Sequence, residues 1–281
     1  MSEAPELHPA ASAGFSSGAH AYVRGRPDYP AVLLEWLRDE LQLRPGTSVV
    51  ELGAGTGKFT ALLARTAARV LALEPVAAMR AQFETPTAQP PTRAPTPTPQ
   101  LQTPQPAPPA VIGALAEAIP LRGGAADAVA CAQAFHWFAT LTALREIHRV
   151  LRAGGRLGLV WNVRDESVDW VAAITAILAP YEAGSPRFAS GRWREVFTQP
   201  PARGLFSGLR LASWRHAAIG PPQQVIIERF LSVSFIAALP AGEQARVRQR
   251  LQDLTGTHPQ LRERAQIAFP YVTHAYDCTR L

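Results

Sequence analysis

Apolar residues recur at helical spacing from Ala31 to Leu43: Leu34, Leu37 and Leu41 share one face, with Leu33 and Trp36 beside it. Arg44-Pro45-Gly46 predicts the end of that helix. Thr47 to Leu52 is a β-branched and apolar run, which predicts a buried strand. A glycine-rich turn follows, then a helix through Leu62, Leu63 and Ala67, a second strand from Arg69 to Leu73, and a helix opening over Pro75 to Phe83. After an interruption the same rhythm resumes. Ala110 to Gly113 is short and apolar, and Ala126 to Ala132 predicts a buried strand. Thr140 to Leu151 predicts a helix with Leu141, Leu144, Ile147 and Leu151 inward, capped by Ala153-Gly154-Gly155. Arg156 to Asn162 predicts the next strand. Helices are then expected near Val168 to Tyr181, Gln223 to Ala237 and Gly242 to Leu254, and strands over Leu205 to Ile219 and Gln266 to Asp277. Strands alternating with helices at this spacing imply a parallel sheet covered on both faces.

Two stretches stand outside that rhythm. Residues 1–20 read as a loose leader rich in Ala, Ser and Gly. Residues 85–109 are almost all Pro, Thr, Gln and Ala. Proline removes donors and fixes φ, so this stretch is expected to be a disordered or polyproline-like insertion. Such a segment is either a docking site for a proline-binding partner or a neutral surface insertion, which loops tolerate at small entropic cost. The remaining chain, 21–281, reads as one domain with cap segments at 165–203 and 221–254.

Composition narrows the classes. The 281 residues are 47% hydrophobic and 18% charged, enough to bury a sizeable core. No apolar run reaches the roughly 18–20 residues of a membrane helix, and Met1 to His20 lacks the pattern of a secretory signal. Cys131 and Cys278 match no metal spacing, so no metal and a reduced, cytoplasmic setting are expected. The net charge of +6 raises the question of nucleic acid. Lys58 is the only lysine, and the arginines are scattered rather than gathered in a stripe, so no nucleic-acid partner is expected.

The strongest chemical signal is Val49-Val50-Glu51-Leu52-Gly53-Ala54-Gly55-Thr56-Gly57. A strand runs into Gly53, Gly55 and Gly57, and a helix follows, so the backbone can approach a ligand at the helix N-terminus with no side chain between. Glu74, at the end of the next strand, suits the two hydroxyls of a ribose. A dinucleotide fingerprint wants a further glycine where Lys58 stands. Glu51, two residues before the first glycine, suits a ligand carrying an ammonium group, or is a strand-end residue bonded to backbone.

Together these motifs resemble those of class I S-adenosylmethionine (SAM)-dependent methyltransferases, in the small-molecule branch that includes trans-aconitate methyltransferase-like proteins. The resemblance runs from about Phe15 to the C-terminus, broken by the proline-rich insertion. Glu51 to Gly57, Ala54 included, resembles the family's SAM loop, and Glu74 its ribose acid. Ala116-Glu117-Ala118-Ile119-Pro120 is similar to the segment passing the adenine ring, although Leu115 stands where the family often has a polar residue. Gln133 to Phe138 resembles the loop after the fourth strand, Arg149 to Gly155 the approach to the fifth, and Trp161 to Asp165 the end of the fifth. Tyr22 to Pro30 resembles the N-terminal segment of the family, and Pro270 to Thr273 its last strand. The resemblance implies a Rossmann-like, mostly parallel seven-stranded α/β sheet with helices on both faces, an antiparallel last strand and a helical cap.

It further implies SAM as cofactor, held by Tyr22, Arg26, Glu51, Gly53, Ala54, Gly55, Gly57, Glu74, Ala116, Glu117, Gln133 and Trp137, and a small-molecule acceptor. For a carboxylate acceptor, cations and donors suffice. For an amine, phenol or carbon acid a base would help. His136 would bind the acceptor, act as base, or be a structural histidine. Trp137 would wall the cofactor, meet its sulfonium by cation–π attraction, or pack. Arg164 would reach a carboxylate or pair with Asp165 or Glu166, and Asn162 stands beside it. The alternatives are an inactive protein of this fold acting through 85–109 and an NAD-dependent oxidoreductase.

Overall fold

The computed structural model describes residues 27–83, 107–182 and 186–281. The leader, Tyr22 and Arg26, and all but the last three positions of the proline-rich insertion lie outside them.

Seven strands form one sheet in the order β3-β2-β1-β4-β5-β7-β6. They are β1 (Ser48–Leu52), β2 (Arg69–Leu73), β3 (Ala110–Ile112), β4 (Ala126–Ala132), β5 (Leu151–Arg164), β6 (Arg210–Gly220) and β7 (Ile267–Thr279). The first five are parallel, while β7 runs antiparallel between β5 and β6. The mostly parallel seven-stranded sheet with its antiparallel last strand is the expected fold class. β4 sits at the centre, and all but one of its residues are buried, as a strand covered on both faces requires.

The helices α1 (Val32–Asp39) and α2 (Lys58–Ala64) cover one face, where Leu33, Leu37 and Leu63 pack on Val49, Ala128 and Val160. α3 (Ala77–Arg80) is a single turn rather than the longer helix expected to Phe83. On the other face α4 (Leu141–Val150) puts Leu144, Ile147 and Val150 against Val129, Leu157 and Leu159. The Thr140 hydroxyl caps it, accepting from the Ala143 amide at 3.1 Å.

The expected glycine cap on α4 is not there. Leu151 already has extended angles, φ −66° and ψ 143°, and pairs with Ala126. Gly154 and Gly155 instead fall in an irregularity of β5, before Arg156 resumes pairing with Ala128. A Cβ on Gly155 would lie 2.8 Å from the Arg152 carbonyl oxygen, so close backbone approach, not helix termination, requires a glycine there.

The segments expected to form a cap divide between two cores. α5 (Asp169–Leu178), a π-helical turn (Gln223–Glu228) running into α7 (Arg229–Leu231), then α8 (Ser234–Ala237) and α9 (Ala241–Thr257), bury Ile174, Ile226, Phe230 and Leu251 with Phe269 and Tyr271 at the start of β7. α6 (Glu195–Thr198) and the turn Arg192–Arg194 before it join the main sheet, with Trp193 and Val196 against Trp161 and Tyr276. The strand expected from Leu205 begins only at Arg210. Among the described residues no helix is long and apolar enough to cross a membrane, and no cluster of His, Cys, Asp or Glu could hold a metal. Cys131 and Cys278 are buried free thiols.

Candidate cofactor and acceptor site

The sheet order places the switch point between β1 and β4, the crevice where open parallel sheets bind ligands. The turn from β1 into α2 is left-handed at Gly53, Gly55 and Gly57, with φ of 70°, 60° and 90°. The three glycines have different reasons. At Gly53 a Cβ would lie 2.6 Å from the Ala134 Cβ, so the loop after β4 closes on it. Gly57 is the left-handed N-cap of α2. At Gly55 a Cβ would meet only the Met79 methyl, at 3.6 Å, which leaves room in front of the loop.

Two carboxyl groups flank that room. Glu74 accepts from the amides of Gly55 and Val76, both at 2.8 Å. Burial pushes its pKa upward against those two hydrogen bonds. Glu51 is 1% exposed and accepts from the Thr60 hydroxyl at 2.5 Å. Burial pushes its carboxyl up to about 8, offset in part by the Thr60 bond and reinforced by the nearby Glu74 charge.

Glu51, Gly53, Ala54 and Gly55 line one cavity with Tyr29, and Gln133 and Asn162 complete it. The Lys58 ammonium, where a dinucleotide fold has glycine, pairs with Asp28 at 3.0 Å. Asn162 also holds this N-terminal stretch: its amide donates to the Asp28 carbonyl at 3.2 Å, while its oxygen accepts from the buried Thr273 hydroxyl at 2.6 Å. Both ends of the Asn162 amide are thus engaged within the protein.

Gln133 closes β4 in the left-handed region, φ 58°, an arrangement worth about 1–3 kcal/mol of strain for a side chain of this kind. Its side-chain amide donates to the Asn162 carbonyl at 3.2 Å, and its backbone amide to that of Val160 at 2.8 Å. Strain of this kind at a sheet's ligand edge is typical of functional positions.

His136, Trp137 and Arg164 line a second cavity, which also includes Gln133 and Asn162. The buried Trp161 indole N–H donates to Nδ1 of His136 at 3.1 Å. An indole nitrogen can only donate, so Nδ1 is the unprotonated nitrogen and the imidazole proton resides on Nε2. Arg164 stands 3.8 Å from both Glu166 and Glu182, and its guanidinium lies 5.5 Å from the Phe230 ring centre. Burial lowers the Arg164 pKa against the pull of those carboxylates.

Ala116 and Glu117 line neither cavity. Ala116 packs in the core, and the half-buried Glu117 is pushed up by burial against hydrogen bonds from its own amide and Thr140. Several neighbours escaped the sequence reading, chiefly Thr60, Thr273, Glu182, Arg187 and Arg229. Arg229 alone carried a signal: it interrupts the apolar run Val225-Ile226-Ile227 and Phe230, and it is buried.

A family model described as a methyltransferase domain matches residues 50–159. A methyltransferase-like protein of Schizosaccharomyces pombe is 34% identical over 94% of this chain and 94% of its own length. A methyltransferase of Mycobacterium tuberculosis is 34% identical over 93% of each. Among solved structures, a candidate type II methyltransferase of Anaeromyxobacter dehalogenans aligns with a TM-score of 0.55 at 21% identity, over 91% of this chain and 96% of that one. Relatives matched along nearly the whole length, on a sheet of this order with a glycine turn at its switch point, place the chain among the class I SAM-dependent methyltransferases.

Proposed function

We propose that this methyltransferase binds SAM against Gly53 to Gly57 and transfers its methyl group to a small-molecule carboxylate. The observation that carries this reading is that the two cavities share Gln133 and Asn162, so the glycine-loop space and the Arg164 space meet at one wall.

The residues present fit the cofactor. Glu74 already takes two backbone N–H groups and has lone pairs left for ribose hydroxyls. Glu51 offers a buried acid to the methionine ammonium. A Cβ on Gly55 would meet only the Met79 methyl, at 3.6 Å, so a ligand can approach the loop backbone there. Tyr22 and Arg26 would close over the methionine end from the segment whose Pro27 and Tyr29 line the cavity. Ala116 and Glu117 would lie on the adenine side, and Trp137 on the wall between cofactor and acceptor.

SAM held there would supply a methyl group activated by its sulfonium, and a carboxylate acceptor would take it as an ester with no proton to move. The protein's task is therefore to position the carboxylate. Arg164 would hold it, and His136, with its proton on Nε2, would act as donor rather than base. The helices α5, α7, α8 and α9 would form the cap over the acceptor. The oxidoreductase alternative falls with the family assignment.

Calorimetric titration with SAM, S-adenosylhomocysteine and NAD, for the wild type and Gly55→Arg, tests the cofactor half. Micromolar binding of the first two, lost in the variant, is expected. Binding of NAD alone, or of none, overturns it. Labelled methyl transfer to carboxylic acids, with amines and phenols as rivals, tests the acceptor half.

A further inference from the structure

We infer that Asn162 is a positioning residue for the cofactor: its side-chain amide fastens the stretch 27–30 across the crevice between β1 and β4, and so governs how long the cofactor stays bound. This deepens the SAM reading above and rests on it.

The stretch is held from both sides of the crevice. On the β1 side stands α2, which supplies two contacts. The Lys58 ammonium meets the Asp28 carboxylate at 3.0 Å, and the Phe59 ring meets that of Tyr29 edge-on at 5.1 Å. On the far side, beyond β4, the fastening is Asn162 near the end of β5, which donates to the Asp28 carbonyl at 3.2 Å. The strand order β1-β4-β5 therefore carries the stretch past the end of β4. Pro27 and Tyr29 line the glycine-loop cavity there together with Ala132 and Gln133 of that end. Gln133 is tied to the same anchor, since its side chain donates to the Asn162 carbonyl.

The amide can stand only one way round. The Asp28 carbonyl only accepts, so the NH2 end of Asn162 must face it. The other end accepts from the hydroxyl of Thr273, which is fully buried and lies opposite Asn162 in the pairing of β5 with β7. β7 thus fixes the side chain in the orientation that reaches Asp28, and little freedom is left to lose when that bond forms. The Lys58 pair is the weaker fastener. The Asp28 side chain is 92% exposed, and ion pairs in water contribute little.

The test is the kinetics of S-adenosylhomocysteine on the full chain, read by stopped-flow tryptophan fluorescence, with melting temperatures alongside. Asn162→Asp keeps the shape and the Thr273 bond but turns an acceptor toward the Asp28 carbonyl. Dissociation should quicken about tenfold or more, with association unchanged within about threefold. Asn162→Leu combined with Thr273→Val removes both polar partners, leaves neither unpaired and adds no charge, so it should keep the fold and quicken dissociation as much. Thr273→Val alone should do less, and should add little to Asn162→Asp, because it acts through the same amide. Lys58→Met should stay within about threefold. A merely structural role would lower the melting temperature and the fraction of protein that binds without separating the two rates. Unchanged dissociation in both Asn162 variants, a loss carried wholly by association, or an effect of Lys58→Met as large as that of Asn162→Asp overturns the inference. Failure of S-adenosylhomocysteine to bind the wild type would instead bring down the cofactor reading.

Discussion

The cavity at the glycine loop takes Glu51, Gly53, Ala54, Gly55 and Thr56 from one turn of chain, while its neighbour draws Arg164, Arg187, Arg229 and Tyr271 from four separate stretches. The first is built largely of backbone: left-handed glycines and amide groups aimed at a carboxylate. The second is built of side chains, with long arginines balanced by glutamates between aromatic rings. A backbone site must be written into contiguous sequence, because only glycine permits it. A side-chain site can be assembled from any residues the fold brings together. The first should therefore fail by being filled, the second by having its charges changed.

The largest expected effect fills the first. Gly55→Arg puts a side chain into the space where a Cβ now meets only the Met79 methyl, so binding of S-adenosylhomocysteine should become undetectable by calorimetry. The left-handed φ of 60° adds a stability cost of about 1–2 kcal/mol, visible as a lower melting temperature with the fold retained. Gly53→Ala sharpens the contrast within the loop. Its Cβ would collide with Ala134 at 2.6 Å, so it should damage stability more than binding.

Next in size is Arg164→Met, which alters the second cavity alone. Loss of a charged hydrogen-bond partner costs about 1.5–3 kcal/mol. Turnover of a carboxylate acceptor should fall about tenfold or more in kcat/KM, with the dissociation constant of S-adenosylhomocysteine unchanged within about twofold. Equal losses in both would mean that the two cavities are one energetic unit.

The same contrast explains what was legible beforehand. The strands β1, β2, β4 and β5 follow from apolar runs, and Glu51, the glycines and Glu74 follow from a motif whose spacing is set by backbone geometry. Helix boundaries near glycine were less secure. Ala153-Gly154-Gly155 reads as a cap in sequence, yet its glycines serve an irregular strand whose neighbours come from Asp127. The second cavity was nearly invisible. Arg187 and Glu182 belong to no motif, and nothing local to either indicates that they meet. Asn162 stood out by position, but only the structure shows that Thr273 and Asp28 engage its amide.

A smaller effect concerns protons. The Glu51 carboxyl is raised from 4.5 to about 8, so the folded protein retains a proton there that the unfolded chain releases. Its contribution to stability is full below about 4.5 and is lost as pH rises through about 8. An ammonium group beside Glu51 favours the carboxylate. Cofactor binding near neutral pH should therefore release a proton, seen as a binding enthalpy that depends on the buffer's ionisation heat. Glu51→Gln should abolish that dependence. Persistence of the release in the variant would assign it to another group.

The smallest expected effect is at His136, and its smallness is the point. A general base removed from its reaction costs about 10²–10⁴-fold in rate. With Trp161 donating to Nδ1, the imidazole has its proton on Nε2 and no lone pair free to take another without losing the indole bond. His136→Gln, which keeps an N–H donor near the cavity, should therefore retain methyl transfer to a carboxylate within about tenfold, well short of that loss. Nitrogen-15 correlation spectra of the wild type should show a protonated Nε2 and a bare Nδ1, and Trp161→Phe should allow the tautomers to mix. A drop of a thousandfold in His136→Gln, with the cofactor still bound, would mean that a proton does move in the rate-determining step. The acceptor would then be an amine, phenol or carbon acid, and Arg164 would lose its claim to a carboxylate.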